Sequence, residues 1–153
     1  MKIVLGIFCL LLCVFLGYVF ALTYTDKRRF YENFLSFNKK IINEVSFSLN
    51  TFPKIVDSVK EDDSFIGLAR IYLSQKEFDC NYKYLTIDEK QFVKGYFDML
   101  GKSDKDSQIN YFSTISNEIE CKLAYSREEE KKYKSLYIKT GFLLGLIALI
   151  IFL

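Results

Sequence analysis

The sequence predicts an all-α protein: an antiparallel helical bundle flanked by N- and C-terminal transmembrane helices. Two stretches lack any charge, Ile3 to Leu22 and Thr140 to Leu153. Between them, apolar residues recur at helical spacing, and no segment shows the alternation of a strand. The chain therefore divides into an N-terminal transmembrane helix (1–22), a helical domain (23–139) and a C-terminal transmembrane helix (140–153).

The first apolar stretch is 20 residues long, which as a helix spans roughly 30 Å and matches a bilayer's hydrocarbon core. A cleaved signal peptide is the competing reading, with Lys2 as its charged start and Val19-Phe20-Ala21 as its cleavage site. From Tyr24 a stripe of Phe30, Phe34, Ile41 and Val45, widened by Phe37, Ile42 and Leu49, predicts a helix to about Asn50. Thr51-Phe52-Pro53 interrupts it, because Pro disfavours helix in the residue before it and suits the first turn of the next. A short helix with Ile55, Val56 and Val59 inward should follow. After Glu61-Asp62-Asp63, Ser64 is placed to cap a third helix carrying Ile66, Ala69, Tyr72 and Leu73.

Ser74 to Leu85 reads equally as helix or loop. Thr86-Ile87-Asp88-Glu89 is a capping box that should open a helix through Phe92, Val93, Tyr96, Phe97 and Leu100, closed by Gly101. Ser103 should cap the last helix, with Asp104 and Asp106 near its positive end. That helix buries Ile109, Phe112, Ile119 and Leu123, and nothing breaks it before Leu153. Glu118–Lys122, Glu128–Lys132 and Glu130–Lys134 are i,i+4 pairs expected on its wet side. The final apolar run has only 14 residues, about 21 Å of helix, so a full crossing recruits residues 136–139. Gly141 and Gly145 form a GxxxG pattern that permits close helix approach.

Composition excludes several functions. The middle piece holds all 19 acidic residues and all but one of the 21 basic ones, so it lacks the basic excess of a general nucleic-acid binder. There is no His in the chain, which removes the usual general base and every His-containing triad. Glu61-Asp62-Asp63 and Glu128-Glu129-Glu130 read as solvated surface, with a docking patch for a basic partner as the alternative. Gly101-Lys102-Ser103 resembles the end of a P-loop, but five residues separate Gly95 from Gly101 where the motif has four, and an amphipathic helix precedes it. No catalytic, cofactor-binding or metal-binding residue is expected, and no cofactor. Cys80 and Cys121, the only thiols of the domain, read as reduced, with a single bridge open only to a domain that faces an oxidising compartment. Lys27, Arg28, Arg29, Lys39 and Lys40 at one end, and Lys122, Arg127, Lys131, Lys132, Lys134 and Lys139 at the other, lie on the domain side of the spans, against Lys2 alone beyond them. The positive-inside rule places the domain in the cytoplasm.

Leu100-Gly101-Lys102-Ser103-Asp104 with Gln108, the Thr51-Phe52-Pro53 turn, and the charged run Arg127–Lys134 leading through Tyr137 to Gly141 and Gly145 together resemble the stage III sporulation protein AB family of endospore-forming bacteria. The likeness runs nearly end to end. The chain departs from the family in a shorter region around Ser74 to Tyr84, and in helices rich in Lys and Phe rather than Arg and Leu. The resemblance implies a non-catalytic platform in the mother-cell membrane facing the forespore, similar to the cytoplasmic domains of type II secretion and type IV pilus platform proteins. The implied partners are a secretion-type ATPase of the same operon, other membrane subunits of the sporulation channel, and membrane lipid. Thr51, Pro53, Gly101, Ser103, Asp104 and Gln108 are the implied interface residues. Two other readings stay open: an externally displayed, tail-anchored domain made with a cleaved signal, and a structural membrane oligomer without an ATPase.

Overall fold

The computed structural model describes residues 2–47, 54, 56, 64–75, 80, 82–100, 102 and 104–152. Among them lie four helices and no strand: α1 (Lys2–Phe47), α2 (Ser64–Gln75), α3 (Ile87–Met99) and α4 (Lys105–Phe152). The protein is an all-α bundle with long apolar helices at both ends. The first and last helices are each long and apolar enough, by length and composition, to cross a membrane. The chain forms two compact units, one of residues 1–28 with 125–153 and one of residues 29–124.

The 29–124 unit is held by aromatic side chains. Phe65 of α2 is fully buried and stacks on Phe34 of α1, with ring centroids 4.3 Å apart, and on Phe97 of α3 at 5.4 Å. Tyr96 meets Phe34 edge-on at 4.8 Å and Phe112 of α4 at 5.2 Å. Offset and edge-to-face contacts of this kind add to the roughly 1.5–3 kcal/mol gained by burying each large apolar side chain. Phe30, Phe34, Phe37 and Ile41 of the predicted stripe are buried, as are Val93, Tyr96, Phe97, Phe112, Ile119 and Leu123; Val45 and Ile42 pack at the edge. Phe65, Tyr31 and Asn38, absent from the expected core, are buried as deeply. Asn38 earns its place by hydrogen bonding: its Nδ2 donates to the Phe112 carbonyl (3.0 Å) and to Ser116 Oγ (3.1 Å), tying α1 to α4.

The local signals resolve individually. α2 takes Ser64 as its first residue and turns Phe65, Ile66, Leu68 and Ala69 inward. Thr86 and Glu89 form both bonds of the capping box, and α3 follows as expected. The α4 cap is Asp104, whose carboxylate accepts the Ser107 N–H at 3.2 Å, so the helix starts one residue later than a Ser103 cap requires. Lys105 donates to the Ser46 carbonyl in the last turn of α1 (2.8 Å), neutralising that helix's negative end. In the stretch that resisted reading, Tyr82 and Tyr84 stack on each other and both approach Phe30, while Leu85 is buried. The short helix expected after Pro53 is represented by Lys54 and Val56, both helical, with Val56 buried; Ile55 and Val59 lie outside the described residues.

In the other unit α1 and α4 run antiparallel. Gly17 faces Gly141, Leu10 faces Gly145, Phe20 faces Tyr137 and Tyr24 faces Tyr133. This register sets Tyr137 beside Phe20, within the N-terminal apolar stretch.

Candidate functional site

Of the six implied interface residues, Asp104 and Gln108 are described; Thr51, Pro53, Gly101 and Ser103 lie outside the described residues. Asp104 is exposed and serves as the helix cap, and the hydrogen bonds from the Ser107 hydroxyl and N–H hold its carboxyl below the usual range. The Gln108 N–H donates to the Asp104 carbonyl (3.0 Å), and its half-buried side chain is one turn further along. The two residues thus share the start of α4.

A cluster of aromatic and charged side chains lies where α1 and α4 leave their apolar stretches. Tyr24 stacks between Tyr133 (4.9 Å) and Tyr137 (5.9 Å), and Phe20 packs on Tyr137 at 6.1 Å. Aromatic rings with a polar tip favour the headgroup level of a bilayer. One turn further from the apolar stretches, polar groups interlock. Thr25 Oγ1 donates to Glu130 Oε1 (2.8 Å), Arg28 Nε donates to Glu130 Oε2, and Lys27 Nζ pairs with Glu129 Oε2 at 3.1 Å. Lys27 is buried and both carboxylates are half-buried. Burial by itself would raise the Glu130 carboxyl, but the hydrogen bonds from Thr25 and Arg28 outweigh it and hold the group below the usual carboxylate range.

This corrects the reading of Glu128-Glu129-Glu130 as a solvated face. Glu129 and Glu130 point at α1, and Glu130 also keeps the expected pair with the exposed Lys134, at 3.6 Å. The signal was available in the sequence as basic Lys27-Arg28 after one span and acidic Glu129-Glu130 before the other. Antiparallel pairing of the two helices brings those two runs level.

Below the rings the helices touch backbone to backbone. A Cβ on Gly17 would lie 2.7 Å from the Tyr137 carbonyl oxygen, and one on Gly141 2.8 Å from that of Cys13. Gly145 approaches the Leu10 Cα to 3.0 Å on the same terms. The GxxxG pair therefore forms a packing face against α1. No group of three or more Cys, Asp or Glu among the described residues is placed to hold a metal.

Fold and site together define a class: an all-α bundle whose first and last helices are apolar enough to cross a membrane and pair through glycine and charge. Residues 73–153 match the family described as stage III sporulation protein AB, and the chain belongs to that family. No curated protein and no solved structure matches it. The chain is accordingly a sporulation protein, and its two long apolar helices suggest association with a membrane.

Proposed function

We propose that this protein is a non-catalytic, two-pass platform subunit of a secretion-like channel between mother cell and forespore, with its 29–124 unit in the mother-cell cytoplasm docking a secretion-type ATPase. The observation that supports it most is the close pairing of α1 with α4 through Gly17 and Gly141. A cleaved signal peptide would remove the surface against which Gly141 and Gly145 pack, so the pairing favours a retained first span. Two retained spans put both ends of the intervening chain on one side of the membrane, and the Lys and Arg distribution favours the cytoplasmic side. There the aromatic unit is available to a cytoplasmic motor and to neighbouring membrane subunits.

Cys121 is exposed and Cys80 half-buried, which makes Cys121 the reporter of sidedness. In a Cys9→Ser, Cys13→Ser, Cys80→Ser background, a membrane-impermeant maleimide should label intact cells only after permeabilisation. Labelling before permeabilisation puts the domain outside and removes the motor partner. Intact mass checks the first span independently, because cleavage after Ala21 leaves Leu22 as the N-terminus. Affinity capture of the full chain from sporulating cells should retain the operon's ATPase; its reproducible absence favours a structural oligomer.

A further inference from the structure

We propose that a groove beside the Gly17–Gly141 crossing seats one acyl chain of an anionic phospholipid, whose phosphate lies at Lys134; the inference rests on the reading that α1 and α4 span a membrane. Gly17 and Gly141 bring the backbones together, while Leu16 and Phe20 on one helix and Tyr137 and Leu144 on the other bound an apolar groove of about 330 Å³. An unfilled groove forfeits dispersion contacts along its walls, and a cavity of roughly 150 Å³ already takes up benzene. A helix is about 10–12 Å across with its side chains, so it would lie over a groove of this volume without entering it. A single hydrocarbon chain can thread it.

The polar end of the groove selects the head group. Tyr137 marks that end, and Lys134 lies just under one helical turn beyond it. Its side chain is 44% exposed and 3.6 Å from a single Glu130 oxygen, which leaves ammonium donors for a second acceptor. Residues 23–28 and 125–139 carry seven cations against four carboxylates. An apolar slot running up to a net-positive border matches a tail joined to an anion. A zwitterionic lipid answers the slot and leaves the excess charge unmatched.

The full chain in vesicles of mixed phosphatidylglycerol and phosphatidylcholine tests this, using either lipid with a diazirine partway along one acyl chain. The phosphatidylglycerol probe should label Leu16, Phe20 and Leu144 in preference to Phe8 and Ile150, which are at least as exposed as Phe20. Thr140→Phe, which fills the groove without touching the glycine contact, should abolish that labelling, and Lys134→Gln should reduce the preference for the anionic probe several-fold. Uniform labelling of all exposed apolar positions, or equal labelling by both probes, overturns the proposal. So does a Thr140→Cys disulfide between two chains, which would make a second copy the occupant. Extraction of the protein by alkaline wash before any probe is added would fail the membrane reading itself, an outcome distinct from failure of lipid selectivity.

Discussion

The two compact units solve the same packing problem with opposite chemistry. In residues 29–124 the helices are held apart by rings, with Phe34, Phe65, Tyr96 and Phe97 filling the space between them. In the other unit the helices meet at Gly17 and Gly141 with almost nothing between, and large side chains such as Phe8, Phe15 and Leu143 point outward. If α1 and α4 span a membrane, as proposed, the solvent accounts for the difference. In water, burying an aromatic ring releases free energy in proportion to its apolar area. Between two helices in lipid that gain vanishes, and close backbone packing with interhelical polar contacts takes over. Where the helices leave the apolar stretch, the Thr25, Lys27 and Arg28 bonds to Glu129 and Glu130 supply the polar part.

Four substitutions break or sharpen this contrast. The largest effect is expected from Phe65→Ala, which opens a cavity where three helices meet and should cost about 3–5 kcal/mol. Urea unfolding of the full chain in micelles, followed by near-ultraviolet circular dichroism, measures it, and a cost under about 1 kcal/mol would mean that the ring stack does not hold the unit. Gly17→Ala comes next: its Cβ meets the Tyr137 carbonyl oxygen, and overpacking should destabilise the helix pair by about 1–3 kcal/mol. Disulfide formation in a Phe20→Cys, Tyr137→Cys chain lacking the native thiols reports that pairing and should fall.

The same exchange at Gly95 should have the opposite sign. A Cβ there meets open space within α3, so Gly95→Ala should stabilise the unit by about 0.5–1 kcal/mol through helix preference alone, seen as a higher Tm. The smallest effect belongs to Glu130→Gln, below about 1 kcal/mol for a partly screened pair. Its signature is pH. Because the folded-state carboxyl is held low, its contribution is complete above the ordinary carboxylate pKa of roughly 4.3 and disappears as pH falls through the depressed folded value. Acid titration should therefore destabilise the natural chain more than the Gln variant, and parallel curves would mean that Thr25 and Arg28 do not hold the carboxylate.

What was legible followed from signals complete within one segment. The apolar stretches, the Phe30–Phe34–Phe37–Ile41 stripe and the Thr86–Glu89 capping box each declare themselves over a few residues. Phe65 was missed because a four-residue pattern of Ile66, Ala69, Tyr72 and Leu73 already satisfied one face of a short helix; Phe65, Leu68 and Ala69 define the deeper face. Asn38 was missed because a polar residue inside an apolar stripe reads as exposed until its partners, the Phe112 carbonyl and Ser116, are known. The Glu129–Glu130 clamp depends on register between residues about a hundred positions apart, which no local pattern encodes. Of the family-implied interface, Asp104 takes a backbone role that its sequence neighbourhood had assigned to Ser103.

The bond from Lys105 to the Ser46 carbonyl brings together two points 59 residues apart in sequence. The chain between them, which carries α2 and α3, therefore starts and ends at neighbouring points. Chain segments whose ends meet are the ones that tolerate lengthening and shortening, since closure costs little more for a longer loop. The contact between the end of α1 and the start of α4 can therefore persist while the chain between Ser46 and Lys105 changes length.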